Sequence, residues 1–477
     1  MVHATSLKRF SAVSAAVFLL GFCASEALAQ DQDLARVNQD ELASFFGRMN
    51  VVVGSGARAF GMGGAFLARA DDATAASWNP AGLSYLRRTE VSVVGVRNDF
   101  QQTIPRPGPT TTLDQLRGSV ADFAGFAYPL RFRGRPGAVQ VSYQRSFSFS
   151  GNRKSEAALG GEPEFTVVGN GGFDSLSISS GFEIRPDLRL GLSVNRWVNG
   201  FSQTVARISQ SDVRTERTIG STWDIAGTNF NLGVLLTPTA KLNLGAVLKT
   251  PFRATVGLSK TRTDKQITPD KTTGTIPPAL TNTYARDVRI RFPRVYGLGA
   301  SYRATNTLTV SADFTRTQWS KANISDFFAL AKEDPETPFL EHYTTDLPFP
   351  AVEEGTNGQV DTNQLRMGAE WVLRLGQAGS VLLPLRAGFF RDGQLVTIRL
   401  QNPVAGFPGP QATPTFSGFT AGVGITIGGV LIDVAFIREG GDVPASRAGD
   451  GVADGSTRNV RYNRLFGSMM FRFGPRR

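Results

Sequence analysis

The chain has 477 residues, and very few of them have the types and spacing that chemistry requires. A Ser/His/acid site needs an imidazole held against a nucleophile on a rigid element, and a histidine metal site needs several ligands close together. Past the first thirty residues the one histidine is His342, in a stretch rich in Pro, Thr and Glu, and neither arrangement surrounds it. No catalytic residue, metal or cofactor is therefore assigned. Gly54-Ser55-Gly56 followed by Gly61 and Gly63 superficially resembles a dinucleotide fingerprint, but it lacks the third glycine spacing and the strand-helix-strand unit that such a site needs. Asp71 and Asp72 are adjacent carboxylates without further ligands. They make a poor cation site and suit hydrogen bonding or capping of nearby backbone better.

The start of the chain reads as an export signal. Lys8 and Arg9 precede an apolar run over residues 10–22, and Ala27-Leu28-Ala29 forms a small-residue cleavage site, so residues 1–29 are expected to be removed. The run is shorter than the roughly 18 residues a spanning helix needs. Cys23 is the only cysteine, and bulky Phe22 stands where an acylation signal wants a small side chain. The mature chain then carries no thiol, which suits passage through an oxidising periplasm. The formal net charge of +11 is spread over the sequence without a like-charge block, which favours contact with anionic lipid and lipopolysaccharide over nucleic acid.

From about residue 89 the sequence alternates apolar and polar residues in runs of about ten, the period of a strand with one greasy face. Leu188, Leu190, Leu192 and Val194 share one face, with Arg189, Gly191, Ser193 and Asn195 on the other. The same holds for Leu242, Leu244, Ala246 and Leu248, and for Leu308, Val310, Ala312 and Phe314. About fourteen such runs begin near residues 89, 119, 137, 173, 187, 223, 241, 287, 306, 362, 383, 415, 429 and 460. Tight connections near residues 133, 186, 238, 304 and 428 alternate with wide ones at 101–118, 150–172, 205–221, 259–286, 320–361, 392–414 and 439–459. Short periplasmic turns, long external loops and an even strand number describe an all-β transmembrane antiparallel barrel of the outer membrane. Leu465, Gly467, Met469, Phe471 and Phe473 end the chain in the pattern read by barrel-insertion machinery, though four residues follow Phe473. The 34 phenylalanines are expected to serve mainly as interfacial girdles, with some available to line a greasy pocket.

The expected division is a signal at 1–29, an N-terminal extension and hatch at 30–88, and a barrel at 89–477. The hatch region, residues 54–86, is rich in Gly and Ala. Gly61, Gly63 and Gly64 permit tight turns there, and Asn79-Pro80 sets an extended or turn conformation before Ala81. Ala57-Arg58-Ala59, Ala70-Asp71-Asp72-Ala73 and Asn79-Pro80-Ala81 together resemble the hatch of the FadL, TodX and OmpP1 family of long-chain fatty acid and hydrocarbon transporters. Residues 230–252 and 292–320 are similar to strand-turn-strand units of the same family.

The resemblance implies passive uptake of hydrophobic small molecules through a barrel whose lumen is plugged by the hatch. Ligand would first meet an apolar site among the outer loops. Rearrangement around Asn79, Pro80 and Ala81 would then open a path, with Gly61, Gly63, Gly64, Asp71 and Asp72 part of the gate. Arg58 is either an anchor for a carboxylate headgroup or the partner of Asp71 or Asp72 in a structural salt bridge. Two other roles remain open: a PorV-like barrel that binds proteins for a secretion system, and a general diffusion porin.

Overall fold

The computed structural model describes residues 54–105, 111–155, 164–208, 214–269, 273–322, 361–376, 380–394, 414–444 and 457–475. The expected signal, the stretch 30–53 and His342 lie outside them. Eighteen segments of sheet form one closed antiparallel ring of fourteen strands, because four of the strands are each interrupted once. In order these are β1 (Thr89–Pro105), β2 (Thr111–Phe132), β3 (Arg135–Ser148, then Gly151–Ser155), β4 (Glu164–Arg185) and β5 (Leu188–Val198, then Gly200–Ile208). They continue as β6 (Thr215–Thr239), β7 (Leu242–Lys249, then Phe252–Gln266), β8 (Leu280–Phe292, then Val295–Arg303) and β9 (Leu308–Thr317). The last five are β10 (Thr362–Leu375), β11 (Val381–Gly393), β12 (Thr415–Ile427), β13 (Val430–Pro444) and β14 (Thr457–Phe473). β1 closes the ring against β14, from Thr89 opposite Phe473 to Thr103 opposite Asn459.

The side-chain alternation is inverted relative to a soluble protein. Leu190, Leu192 and Val194 of β5 are exposed on the outer face, whereas Ser193 and Asn195, on the alternate positions, are buried toward the bore. Ile178 and Phe419 are each 69% exposed and Leu298 61%, within an apolar surface too continuous for a protein that meets water there. Such a wall is stable only in lipid, where a closed ring also satisfies every strand edge. The terminal residues Leu465, Met469, Phe471 and Phe473 lie on this outer face.

The connections differ from expectation. Four of the seven wide ones, 101–118, 150–172, 205–221 and 259–286, are largely strand: β1 runs to Pro105 and β2 restarts at Thr111, while β6 begins at Thr215 and β8 at Leu280. Of the other three, 320–361 follows a short 3-10 turn at Trp319–Lys321, and residues 323–360, 395–413 and 445–456 lie outside the described ones. The cause is that a strand above the lipid has no greasy face to show, so its dyad signal fades while its ladder continues. β6 has 25 residues, and about ten suffice to cross the apolar layer.

Candidate functional site

Three features converge inside the ring: the N-terminal segment, an aromatic cluster, and an interruption in the wall.

The N-terminal segment contains α1 (Ala57–Gly61), α2 (Ala75–Trp78) and a 3-10 turn (Pro80–Tyr85). Nearly all of it is buried against inward-facing wall residues. Glycines on the wall permit this contact at backbone level. Gly181, Gly191 and Gly233 stand opposite one another on β4, β5 and β6. A methyl group on Gly191 would sit 2.2 Å from the Ala81 nitrogen and the Pro80 carbonyl carbon. Gly368 and Gly388 pair across β10 and β11 in the same way beneath Met62 and Gly63.

The expected turn glycines divide by role. Gly63 and Gly64 have φ of 69° and 76° and need the left-handed region. Gly61 does not, and its requirement is steric instead: its Cβ position lies 3.2 Å from the Gly422 Cα. The Thr420 hydroxyl donates to the Gly61 carbonyl and accepts from the Gly63 amide, both at 2.9 Å. Asn79 is extended and wholly buried. Its amide donates at 3.0 Å to the carbonyls of Leu67 and of Val234 on β6, and its Oδ1 accepts from the Ala81 amide at 3.2 Å, capping the 3-10 turn. Pro80 occupies the first position of that turn, where its missing N–H costs nothing. Ala81 is fully buried beside it.

Arg58 lies among carboxylates. It donates to Asp71 at 2.6 Å, Asp72 at 3.0 Å and Glu370 of β10 at 3.3 Å, which is the salt-bridge alternative for this residue. Asp72 also accepts from the amide and hydroxyl of Thr74, at 2.9 and 2.6 Å, as a backbone-organising carboxylate should. Glu370 collects Arg69 as well, and Arg386 of β11 at 2.7 Å; Arg386 continues to Asp433 of β13 at 2.6 Å. Burial works against both N-terminal charges. At Arg58 the carboxylates of Asp71, Glu370 and Asp72 overcome it and raise the guanidinium above its ordinary value. At Arg69 burial, aided by Arg58 and Arg386, leaves it lowered despite Glu370. Asp313 of β9 accepts from the Phe66 and Leu67 amides at 2.6 and 2.8 Å. Among the described residues, no group of three or more His, Cys, Asp and Glu side chains is placed to hold a metal ion.

Toward the long-connection end, a second group of buried aromatic rings lines the bore. Phe149 and Phe173 meet at 5.3 Å between ring centroids, Phe149 and Phe201 at 4.1 Å, Phe201 and Trp223 at 5.7 Å, and Phe252 and Phe292 at 4.7 Å. Trp197 stacks on Phe252 at 5.1 Å, and its indole N–H donates to Asn229 at 2.8 Å. Val256, Leu258, Ile290 and Trp319 complete the cluster. These rings come from β3 to β8, near the four strand interruptions: residues 149–150, Asn199 with φ of 63°, residues 250–251 and residues 293–294.

The wall itself is interrupted beside this cluster. β2 pairs with β3 at Phe123 opposite Gln144 and again at Arg117 opposite Asn152, with no rung among the described residues between 118–122 and 145–151. Phe147 and Phe149 lie on the displaced stretch of β3 and face the aromatic cluster. Arg145 fixes its near end by a bidentate pair with Asp174 at 2.8 and 3.0 Å, and Asp122 on the β2 side accepts from the Ser55 hydroxyl.

A closed antiparallel ring of fourteen strands with a greasy outer face is an outer-membrane β-barrel of a Gram-negative-type bacterium. A family model described as BamG matches residues 31–334, and the chain belongs to that family. Among solved structures it is similar in fold to a Pseudomonas aeruginosa FadL homologue, at 14% identity over 88% of this chain and 99% of that one, with a TM-score of 0.55. It is also similar to the Pseudomonas putida toluene transporter TodX, at 13% identity over 88% and 99% with a TM-score of 0.52. The CymD monoaromatic hydrocarbon channel matches at 13% identity over 89% and 98%, with a TM-score of 0.51. No curated protein sequence matches the chain. The likeness to FadL and TodX suggested by the hatch motifs thus holds as a likeness of fold.

Proposed function

We propose that the barrel carries hydrophobic small molecules passively across the outer membrane. The observation that carries this reading is the aromatic cluster inside the bore, placed directly beside the interruption between β2 and β3. Apolar solutes gain free energy by leaving water for such a cluster, and no energy source is required. A solute held among Phe147, Phe149 and Phe201 has two routes onward: sideways through the wall into lipid, or past Asn79, Pro80 and Ala81 after the N-terminal segment shifts. The descriptions of TodX as a toluene transporter and CymD as a monoaromatic hydrocarbon channel support the substrate class. Arg58, engaged with Asp71, Asp72 and Glu370, serves this reading as an anchor of the segment more readily than as a headgroup site.

The test is flux of labelled toluene and of a labelled long-chain fatty acid into liposomes containing the purified barrel. Wild type should exceed empty vesicles, and the double variant Phe201→Ala/Trp223→Ala should lose about tenfold while keeping its heat-modifiable mobility. Absence of flux from well-folded wild type would exclude transport of these solutes. Replacing Asn79, Pro80 and Ala81 separates the routes, since a sideways path survives the change and a path through the bore does not.

Membership of the BamG family supports a second reading, in which the protein acts with the barrel-insertion machinery. Stable co-purification with that machinery, together with slowed insertion of other barrels in a deletion strain, would favour it over transport.

A further inference from the structure

The outer face of the barrel carries a concentrated basic site just above its apolar band. Arg253 of β7 stands directly opposite Arg291 of β8, and Arg289 stands opposite Thr255 on the next rung of the same face. Their orientation follows from their neighbours, because Ala254, Val256, Ile290 and Phe292 are buried in the aromatic cluster inside. All three arginines are exposed, as is Arg294 beyond the β8 interruption. Among the described residues none of the four has an ion pair. The nearest carboxylates on that face, Asp287 and Asp224, both lie opposite Gly257, farther from the lipid.

Like charges directly opposite on one sheet face repel and destabilise the pair. A repulsive pair at the edge of the lipid becomes favourable once an anion bridges it. Below them the outward rungs carry Leu248 of β7 opposite Tyr296 of β8 and then Ala246 opposite Leu298, which is 61% exposed to lipid. The arginines occupy the end opposite the chain terminus and the tight turns, which is the external leaflet. Guanidinium groups bind phosphate bidentately, so arginines at that depth match phosphorylated headgroups whose acyl chains lie along the band below. We propose that Arg253, Arg289 and Arg291, with Arg294 at their edge, form a binding site for the phosphates of lipopolysaccharide on the outside of the barrel.

The test uses the full-length protein in a neutral detergent. Binding of bisphosphorylated lipid A is measured by native mass spectrometry and by the shift in unfolding temperature, beside dephosphorylated lipid A and phosphatidylglycerol. Wild type should prefer the bisphosphorylated lipid, and the variant R253Q/R289Q/R291Q should lose at least about tenfold in affinity. Removing Arg131, Arg303 and Arg374 from the tight-turn end should change nothing. A single variant, R291Q, adds a readout with a diagnostic sign: without lipid it should unfold at a higher temperature than wild type, and with lipid A at a lower one. Equal binding of dephosphorylated lipid A would reduce the site to apolar adhesion, equal binding of phosphatidylglycerol would remove its specificity, and an unchanged triple variant would overturn it.

Discussion

Glu370→Gln tests whether the charged cluster holds the N-terminal segment against the wall. Glu370 has a side chain 4% exposed and faces three guanidiniums, Arg58 and Arg69 from the segment and Arg386 from β11. The substitution keeps the shape and removes the charge. Asp71, Asp72 and Asp433 still neutralise Arg58 and Arg386, but Arg69 loses the one carboxylate with which, among the described residues, it makes an ion pair. Breaking a buried pair costs about 3 to 5 kcal/mol, and the remaining carboxylates place this case at the low end, about 3 kcal/mol. That is roughly a 150-fold increase in the fraction of molecules with the segment released. Hydrogen exchange reads this directly. The amides of Phe60, Gly64 and Ala65 bond only within the segment, to Gly56, Ala59 and Met62, and should exchange about 100-fold faster. Those of β14 should not change. Segment amides that exchange at the wild-type rate in a well-folded variant would refute the view that this cluster fastens the segment.

Two further outcomes are expected. Gly388→Ala places a methyl group 2.2 Å from the Gly63 nitrogen and 2.5 Å from the Met62 carbonyl carbon, so the same amides should lose about 1 to 3 kcal/mol of protection, whereas Gly467→Ala meets nothing within 4 Å and should be neutral. Asp361 accepts from the Ser320 amide and Arg316, both at 3.0 Å, and although burial pushes its carboxyl up, these bonds hold it below its ordinary value. A depressed folded value means the stabilisation is present above the unfolded value of about 4 and lost as pH falls through the folded one; protection of the Ser320 amide should follow that course and become independent of pH in Asp361→Asn.

The lipid-facing wall was legible because burial in grease imposes a strict two-residue period, as in Leu188 to Val194 and in Leu465 to Phe473. Strand count and closure followed from it. The outer parts of β6 and β8 were not legible, since a ladder can continue where no face needs to be apolar. Gly63 and Gly64 could be placed as turn formers from residue type alone. The wall partners of the segment could not: Glu370, Arg386 and Asp313 sit at inward positions of their strands like many other polar residues, and only folding shows which one meets Arg58 or the Phe66 amide. Phe201 and Phe252 looked like any other aromatic, because inward or outward placement near a strand interruption depends on a parity change that local sequence does not announce. No charge block marked Arg253, Arg289 and Arg291, since two strands contribute to one group.

The height of the wall has a bearing on where a solute is first met. At about 3.3 Å per residue and a tilt near 40°, a strand as long as the 25-residue β6 rises roughly 60 Å, against an apolar band of about 25 Å. The mouth therefore stands like a chimney tens of ångströms above the acyl chains, within the sugar layer of the leaflet. Whatever enters it is drawn from the water beyond those sugars before it has touched the bilayer.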